Sequence, residues 1–319
     1  KQDYEIAATM RDEQISLEAK AAKEIEKWES NLKTKKRQVT LDDIAETVSI
    51  STGIPVTRLG ADDMTMIKQM AEYIKGSIIG QDKAVEALAK VIKRSRTGVS
   101  TEKKPTGSFM FLGPTGVGKT ETVKALAEYM FGDTDAMIRI DMSEYQEKFN
   151  VSRLIGSPPG YVGHEDGGQL TEAVRRKPYS VVLFDEVEKA HPDIFNTLLQ
   201  VLDEGRLTDS NGRVVDFTNT IIVMTSNVGA RKIADFGTGI GFSTSSSMLE
   251  EQSKMDSIIR KELKNKFSPE FLNRLDEIIL FDQLSNDDVL HIVDIELDKF
   301  IERMGLQGYT FKFSKPTKE

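Results

Sequence analysis

The sequence predicts an α/β fold, with a parallel sheet that is flanked by helices on both faces. Four short apolar runs and a weaker fifth alternate with segments of helical periodicity. A strand that is buried on both faces has a continuous apolar sequence, and its alternation with helices is typical of parallel sheets. The predicted strands are Ser108–Leu112, Ala136–Asp141, Ser180–Phe184, Thr220–Thr225 and Glu277–Phe281.

A long helix is predicted before this sheet, over residues 1–36. Its sequence is rich in Glu, Lys, Ala and Gln without Gly or Pro, and its sparse apolar stripe is typical of a coiled-coil seam. Thr40, followed three residues later by Asp43, is expected to cap a second, short helix. We therefore expect a helical coiled-coil segment over 1–36, a linker over 37–62, an α/β domain over 63–283 and the start of a small helical subdomain over 284–319.

The composition argues against several classes of function. The 319 residues include 51 acidic and 43 basic side chains, and the net charge of -8 disfavours binding to nucleic acid or anionic membranes. Disulfides and thiolate metal sites are excluded because the chain has no Cys, and its 3 scattered His residues disfavour a zinc site. No apolar run approaches the roughly 20 residues that span a bilayer. The start at Lys1 and the polar end suggest a fragment of a longer protein.

The strongest motif is a glycine-rich segment that follows the first predicted strand and opens a helix at Glu121. It matches the phosphate-binding P-loop at every fixed position, which disfavours the alternative of a chance Gly-rich turn. Its glycines let backbone N–H groups approach phosphates, and the helix N-terminus adds partial positive charge. Lys119 is expected to reach the β- and γ-phosphates, and the Thr120 hydroxyl to bind Mg²⁺. The motif reads Gly113-Pro114-Thr115-Gly116-Val117-Gly118-Lys119-Thr120.

Polar residues follow two further strands at the edge of the sheet where the P-loop is expected. Asp185 and Glu186 come after the third strand; Asp185 is expected to hold Mg²⁺, and Glu186 to orient and deprotonate an attacking water. Asn227 follows the fourth strand and is a candidate to orient that water or contact a γ-phosphate. For each of them the alternative is an ordinary polar residue in a turn after a strand.

Arg274, just before the fifth strand, has two interpretations. It is a candidate arginine finger, which would complete the active site of a neighbouring subunit and would require an oligomeric enzyme. The residue type alone instead favours a surface ion pair with Asp276 or Glu277.

Together these blocks resemble the Walker A, Walker B, sensor 1 and arginine-finger motifs of the AAA+ ATPases, in the usual order. Other blocks are similar to the second ATPase module of the Clp unfoldases, and this resemblance covers about residues 40–300. Residues 4–12 resemble the distal half of the coiled-coil middle domain of ClpC-type proteins. The sensor 2 motif of the family's small domain has no match here. The additional blocks are Ile78–Gln81, Ile138–Tyr145, Gly156–Gly163, Asp185–Pro192 and Glu204–Asp209.

The resemblance implies roles for further residues. Ile78 and Ile79 would flank adenine, and residues 205–216 would form a second pore loop. Tyr161 would grip a substrate polypeptide in the axial pore; the alternative is a Tyr packed in a Gly-rich turn. The pore loop would comprise Gly160, Tyr161, Val162 and Gly163. The tripeptide Ile240-Gly241-Phe242 would dock on a ClpP-type peptidase ring. The alternative is that it folds back onto its own core.

The function implied by the resemblance is that of an ATP-dependent protein unfoldase and translocase. It would be a homo-hexamer that uses ATP and Mg²⁺, releases ADP, and threads unfolded or tagged proteins into a ClpP-type peptidase ring, with adaptor proteins as possible partners. Nucleic acid and membranes are not expected as partners. The implied location is the cytoplasm or an organelle stroma. The alternatives are a disaggregase without a peptidase, an AAA+ nucleic-acid motor and a nucleotide-dependent scaffold.

Overall fold

The structure, a computed structural model, describes residues 2–34, 39–52, 63–96, 103–157, 167–229, 257–306 and 313. The chain divides into two units, residues 1–48 and 49–319. In the first unit, helix α1 (Gln2–Thr34) confirms the predicted long helix, and its stripe residues Leu17 and Trp28 are both 63% exposed.

A capping box begins the second helix, α2 (Leu41–Thr52). Thr40 Oγ1 accepts a hydrogen bond from the Asp43 N–H at 3.2 Å, and Asp43 Oδ2 accepts one from the Thr40 N–H at 2.8 Å. Two backbone donors that the first helical turn leaves unpaired are satisfied in this way. The cap predicted at Thr40 is therefore confirmed.

Seven strands form two sheets in the described part of the second unit. They are β1 (Gly107–Leu112), β2 (Met137–Asp141), β3 (Val181–Asp185), β4 (Arg206–Thr208), β5 (Val214–Asp216), β6 (Ile221–Ser226) and β7 (Glu277–Leu280). The main sheet has the order β2-β3-β6-β1-β7, and every neighbouring pair in it is parallel. All five predicted strands are present, within one residue of their expected bounds. Strands β4 and β5 pair as a separate antiparallel hairpin within residues 205–216.

Helices cover both faces of this sheet, as the apolar strands predict. Phe109 and Phe111 of β1 belong to one core cluster, while Met110 and Leu112 belong to the other, because successive side chains of a strand point to opposite faces. The first cluster contains α3 (Asp63–Ser77), α4 (Asp82–Arg96) and α5 (Lys119–Phe131); the second contains α6 (Val151–Ile155), α7 (Gln169–Arg176), α8 (Pro192–Glu204) and helical residues 257–266.

Two more helices precede and follow β7 in the sequence. They are Pro269–Asn273, which begins with a Ser268 cap, and Asn286–Gly305, which begins with a capping box at Ser285. Among the helices that the structure describes, none is both long and apolar enough to cross a membrane.

Candidate active site

The loop between β1 and α5 adopts a conformation that its glycines permit. Gly116 and Gly118 have φ angles of 85° and 101°, which residues with a Cβ rarely adopt. Helix α5 begins at Lys119, directly after this loop. The first backbone N–H groups of a helix have no intrahelical acceptor and are available to an anion, so the loop has the local structure of a phosphate-binding site.

Lys119 is buried at the centre of the site, with only 9% of the residue exposed. Its Nζ donates hydrogen bonds to the carbonyl oxygens of Gly113 at 2.6 Å and Pro114 at 2.8 Å, and to Asn227 Oδ1 at 2.9 Å. Burial lowers the pKa of Lys119, whereas nearby carboxylates, including that of Asp185, act in the opposite direction. The P-loop lysine and the predicted sensor asparagine are therefore in direct contact.

Asp185, at the end of β3, has partners on both of its carboxylate oxygens. Arg139 of β2 donates to Oδ2 through Nη2 at 2.7 Å and Nε at 3.1 Å. The hydroxyl of Thr225, on β6, donates to Oδ1 and accepts a hydrogen bond from the Glu186 N–H at 3.1 Å. The side chains of Arg139 and Thr225 have no role in the motifs that the sequence contains. The register that pairs Asp141 with Asp185 brings β2 alongside β3, and this pairing could not be inferred from the motifs.

Glu186 has a backbone conformation that is rare for its residue type. Its φ and ψ angles are 54° and 48°, and no other non-glycine residue in the described ranges has a positive φ. Such a conformation costs on the order of 1 kcal/mol or more, and it is found preferentially at functional sites. The Glu186 carboxylate accepts from Lys189 Nζ at 2.6 Å, and this hydrogen bond is the main cause of the raised pKa of Lys189.

Two adjoining cavities surround the P-loop. The polar one has a volume of about 530 Å³, and the other has a volume of about 150 Å³ with several aliphatic side chains. Gly116, Gly118 and Glu121 line both of them, so the cavities meet at the loop. The polar cavity is also lined by Thr115, Lys119, Thr120, Arg139, Asp141, Asp185, Glu186, Thr225 and Asn227. The aliphatic lining residues include Ile78, Ile79, Val117, Leu284, Ile292 and Ile295.

Gln81 joins the P-loop to the segment that follows β7. The residue is 2% exposed, and its Nε2 donates to the carbonyl oxygens of Val117 at 3.2 Å and Asp282 at 2.9 Å. Its Oε1 accepts from the Asp282 N–H at 3.1 Å. Since Leu284 and the helix Asn286–Gly305 contribute residues to the smaller cavity, Gln81 helps to fix the shape of that cavity.

Arg274 lies at the amino end of the parallel strands, whereas the P-loop lies at their carboxyl end. The Ser108 hydroxyl donates to the Arg274 carbonyl oxygen at 3.4 Å, next to the amino end of β1, whereas the P-loop follows its carboxyl end. Strand β1 spans roughly 16 Å between these two ends. The Arg274 guanidinium pairs with Asp203 of α8, with 2.8 Å between Nη1 and Oδ1. The alternative interpretation, a surface ion pair, has the wrong partner: the acid is Asp203 and not Asp276 or Glu277, because the fold brings the end of α8 close to Arg274.

A third cavity, of about 1130 Å³, is lined by Arg274, Asp203 and several residues of the β4–β5 hairpin. The predicted pore loop (Gly160, Tyr161, Val162 and Gly163) and the predicted docking tripeptide (Ile240, Gly241 and Phe242) lie outside the residues that the structure describes.

The residues present fit a magnesium ion that is also bound by phosphates. The Thr120 hydroxyl and the Asp185 carboxylate line the same cavity, and both are hard oxygen donors of the kind that Mg²⁺ prefers. Throughout the described part of the chain, no group of three His or acidic side chains could hold a metal ion.

Comparison with known proteins agrees with this geometry. The model of the AAA domain (Cdc48 subfamily) matches residues 104–278, more than half of the chain. An "ATP-dependent Clp protease ATP-binding subunit ClpA homolog" of Guillardia theta is 51% identical over 310 residues, which cover 96% of this chain and 38% of that protein. The ClpC subunit of Staphylococcus aureus (strain USA300) is 50% identical over 307 residues, which cover 96% of this chain and 37% of that protein.

A ClpA homologue of Porphyra purpurea is also 50% identical over 321 residues, covering 100% of this chain and 39% of that protein. The chain thus spans little more than a third of the length of these relatives. The P-loop, the acidic end of β3 and Asn227 all lie within the matched domain, and the parallel sheet flanked by helices is consistent with it. The chain therefore belongs to the AAA ATPases, as a nucleotide-binding domain of the Clp family.

Proposed function

We propose that this chain binds ATP with Mg²⁺ and hydrolyses it, and that the longer protein uses the energy to unfold and translocate polypeptides. The observation that carries the proposal is the meeting of the two cavities at the P-loop. One presents Lys119, Asp185, Glu186 and Asn227, and the other presents aliphatic side chains. A nucleoside triphosphate has the same two parts, a polyanionic chain and a flat base with apolar faces.

The two parts of the nucleotide are assigned to the two cavities by their chemistry. The phosphates would lie against Lys119 and the N-terminus of α5, where a buried cation and unpaired N–H groups favour negative charge. The adenine would lie in the smaller cavity between Ile78, Ile79 and the helix Asn286–Gly305. ADP would keep the adenine contacts after the γ-phosphate has left.

Hydrolysis requires a base, a positioned water and charge stabilisation on the γ-phosphate. Glu186 would accept the proton of the water whose oxygen attacks the γ-phosphorus, while the bond to the β–γ bridging oxygen breaks and ADP leaves. Asn227 would orient the water or contact the γ-phosphate, and Lys119 would stabilise the phosphate charge. Mg²⁺, held by Thr120 and Asp185, would neutralise charge on the β- and γ-oxygens. Glu186 would exchange its contact with Lys189 for one with water.

Arg274 would act on the nucleotide of a neighbouring subunit in a homo-hexamer. Its position at the amino end of β1 keeps it away from the P-loop of its own chain, and its side chain is 42% exposed beside the cavity of about 1130 Å³. A cation placed there can complete a site only in another copy. The proposed assembly is thus supported by the position of Arg274 as well as by the family.

Translocation would use the loop with Tyr161 and the hairpin within residues 205–216. Strand β4 of the hairpin begins three residues after Asp203, the ion-pair partner of Arg274. This proximity supports coupling between a neighbour's nucleotide and a loop that contacts substrate. The substrates would be unfolded or tagged proteins, with or without adaptor proteins, and Tyr161→Ala in the full-length protein should abolish unfolding of a tagged fluorescent protein while ATP hydrolysis continues.

A ClpP-type peptidase ring is the proposed partner, docked by Ile240, Gly241 and Phe242. The relatives are named as ATP-binding subunits of Clp proteases, which supports this partner over a disaggregase that works alone. Capture of such a ring by the full-length protein, and loss of capture after Phe242→Ala, would support docking. Unimpaired capture by that variant would refute docking through the tripeptide.

The substitution Glu186→Gln tests the ATPase proposal. We expect ATP affinity to stay within about threefold of the wild type and the hydrolysis rate to fall at least about 100-fold, because the amide cannot accept the proton. The matched control is Glu302→Gln, an exposed carboxylate on the last helix, and it should leave both quantities unchanged. Turnover of ATP at the wild-type rate by Glu186→Gln would show that another group is the base.

A further inference from the structure

Arg139 donates hydrogen bonds to a carboxylate oxygen of Asp185 that could also bind a metal ion. We propose that Arg139 and Mg²⁺ compete for the Asp185 carboxylate, so that Arg139 is a positioning residue that sets how strongly nucleotide binding depends on Mg²⁺. The inference rests on the proposed binding of ATP with Mg²⁺. The family model and the motifs assign no such role to this arginine.

Of the two carboxylate oxygens of Asp185, Oδ2 is the one for which Arg139 and a metal ion can compete. The Thr225 hydroxyl holds Oδ1 and also accepts from the Glu186 backbone, so this contact is part of the frame between β3 and β6. Oδ2 is held by Arg139 alone among the contacts of the described residues, through both Nη2 and Nε. Access of a cation to Oδ2 therefore requires the guanidinium to leave.

The guanidinium has the freedom to leave, whereas the carboxylate does not. The side chain of Asp185 is 13% exposed and sits at a strand end, but that of Arg139 is 53% exposed. Both line the polar cavity beside Lys119 and Thr120. Asp141, two residues after Arg139, is held by Ser143 and offers a second negative charge near the guanidinium. Arg139 can thus move within the cavity without losing all charge compensation.

Two effects on binding follow from this arrangement. Without Mg²⁺, Arg139 neutralises Asp185 and reduces its repulsion of the phosphates. With Mg²⁺, the ion must displace Arg139, so part of its gain in binding is lost. Removal of Arg139 should weaken metal-free nucleotide binding and relieve this competition. By linkage, both effects increase the factor by which Mg²⁺ tightens nucleotide binding.

The experiment is calorimetric titration of the full chain with adenylyl imidodiphosphate, a non-hydrolysable ATP analogue. Each variant is titrated once in the presence of EDTA and once in the presence of saturating MgCl₂. The dissociation constant in EDTA is divided by that in MgCl₂, and this ratio, the factor by which Mg²⁺ tightens binding, is compared between variants. We expect this ratio to rise about tenfold in Arg139→Ala. This is the lower end of the effect that loss of a hydrogen bond to a charged group has on an equilibrium constant, and we take the lower end because the pair is partly exposed. Arg139→Lys keeps the charge and should stay near the wild type.

Arg176→Ala is the matched control for loss of a positive charge. Its side chain on α7 is 76% exposed, and the residue does not line the polar cavity, so its ratio should equal that of the wild type. An unchanged or smaller ratio in Arg139→Ala, with wild-type binding intact, would overturn the inference alone. A wild type that bound no analogue under either condition would refute the proposed function and this inference with it. Circular dichroism of each variant checks that the fold is retained.

Discussion

Replacement of Gln81 by Ala should separate the P-loop from the segment after β7. The change removes three hydrogen bonds, two to the backbone of Asp282 and one to the Val117 carbonyl oxygen. At about 1 kcal/mol for each bond, we expect the free energy of unfolding to fall by about 3 kcal/mol. The loss could be larger where a buried backbone group finds no new partner, since Gln81 itself is only 2% exposed.

Urea unfolding followed by circular dichroism measures this loss. Gln200→Ala, at an exposed position on α8, is the matched control and should change stability by no more than about 0.5 kcal/mol. The analogue should also bind more weakly to Gln81→Ala, because the loop and the last helix are no longer tied together. A Gln81→Ala protein as stable as the Gln200→Ala control would refute the view that these bonds hold the site together.

Three further substitutions test the geometry of the fold and the site. In Gly168→Ala the free energy of unfolding should fall by about 2–3 kcal/mol, because a Cβ there would lie 2.3 Å from a backbone carbon of Ile155. In Gly76→Ala, where a Cβ would have no atom within 4 Å, it should rise by about 0.5–1 kcal/mol, because Ala favours the helical conformation of α3 more than Gly does. Equal urea midpoints for these two variants would contradict the packing described. Burial lowers the pKa of Lys119, so affinity for the analogue should decrease as the pH rises into the alkaline range, earlier than an exposed lysine would allow. Calorimetry should find Lys119→Ala about tenfold or more weaker and without that decrease, whereas an equal decrease in the variant would assign it to another group.

The strands were predictable because a strand buried on both faces leaves an unbroken apolar run in the sequence. Some of the small shifts in their bounds come from polar ends: Asp185, which follows the predicted third strand, continues the ladder by pairing with Asp141. The order of the strands was not predictable in this way. It depends on how each connection crosses the sheet, and no local pattern records that.

The site was predictable where one short segment contains the whole motif, as in the P-loop. The side-chain partners were harder, because they come from distant parts of the chain. Arg139 and Asp185 are 46 positions apart and meet only through the pairing of β2 with β3. Arg274 and Asp203 meet because α8 ends at the amino edge of the sheet. Such contacts follow from the tertiary fold and not from spacing.

The placement of the P-loop and Arg274 at opposite ends of β1 restricts the symmetry of the proposed assembly. If the arginine of one copy serves the nucleotide of the next, the two copies must touch through different surfaces, the carboxyl edge of one sheet and the amino edge of the other. A two-fold dimer brings identical surfaces together and cannot make this contact. Repetition of a head-to-tail contact produces either a closed ring or an open spiral, and the angle between successive copies decides which.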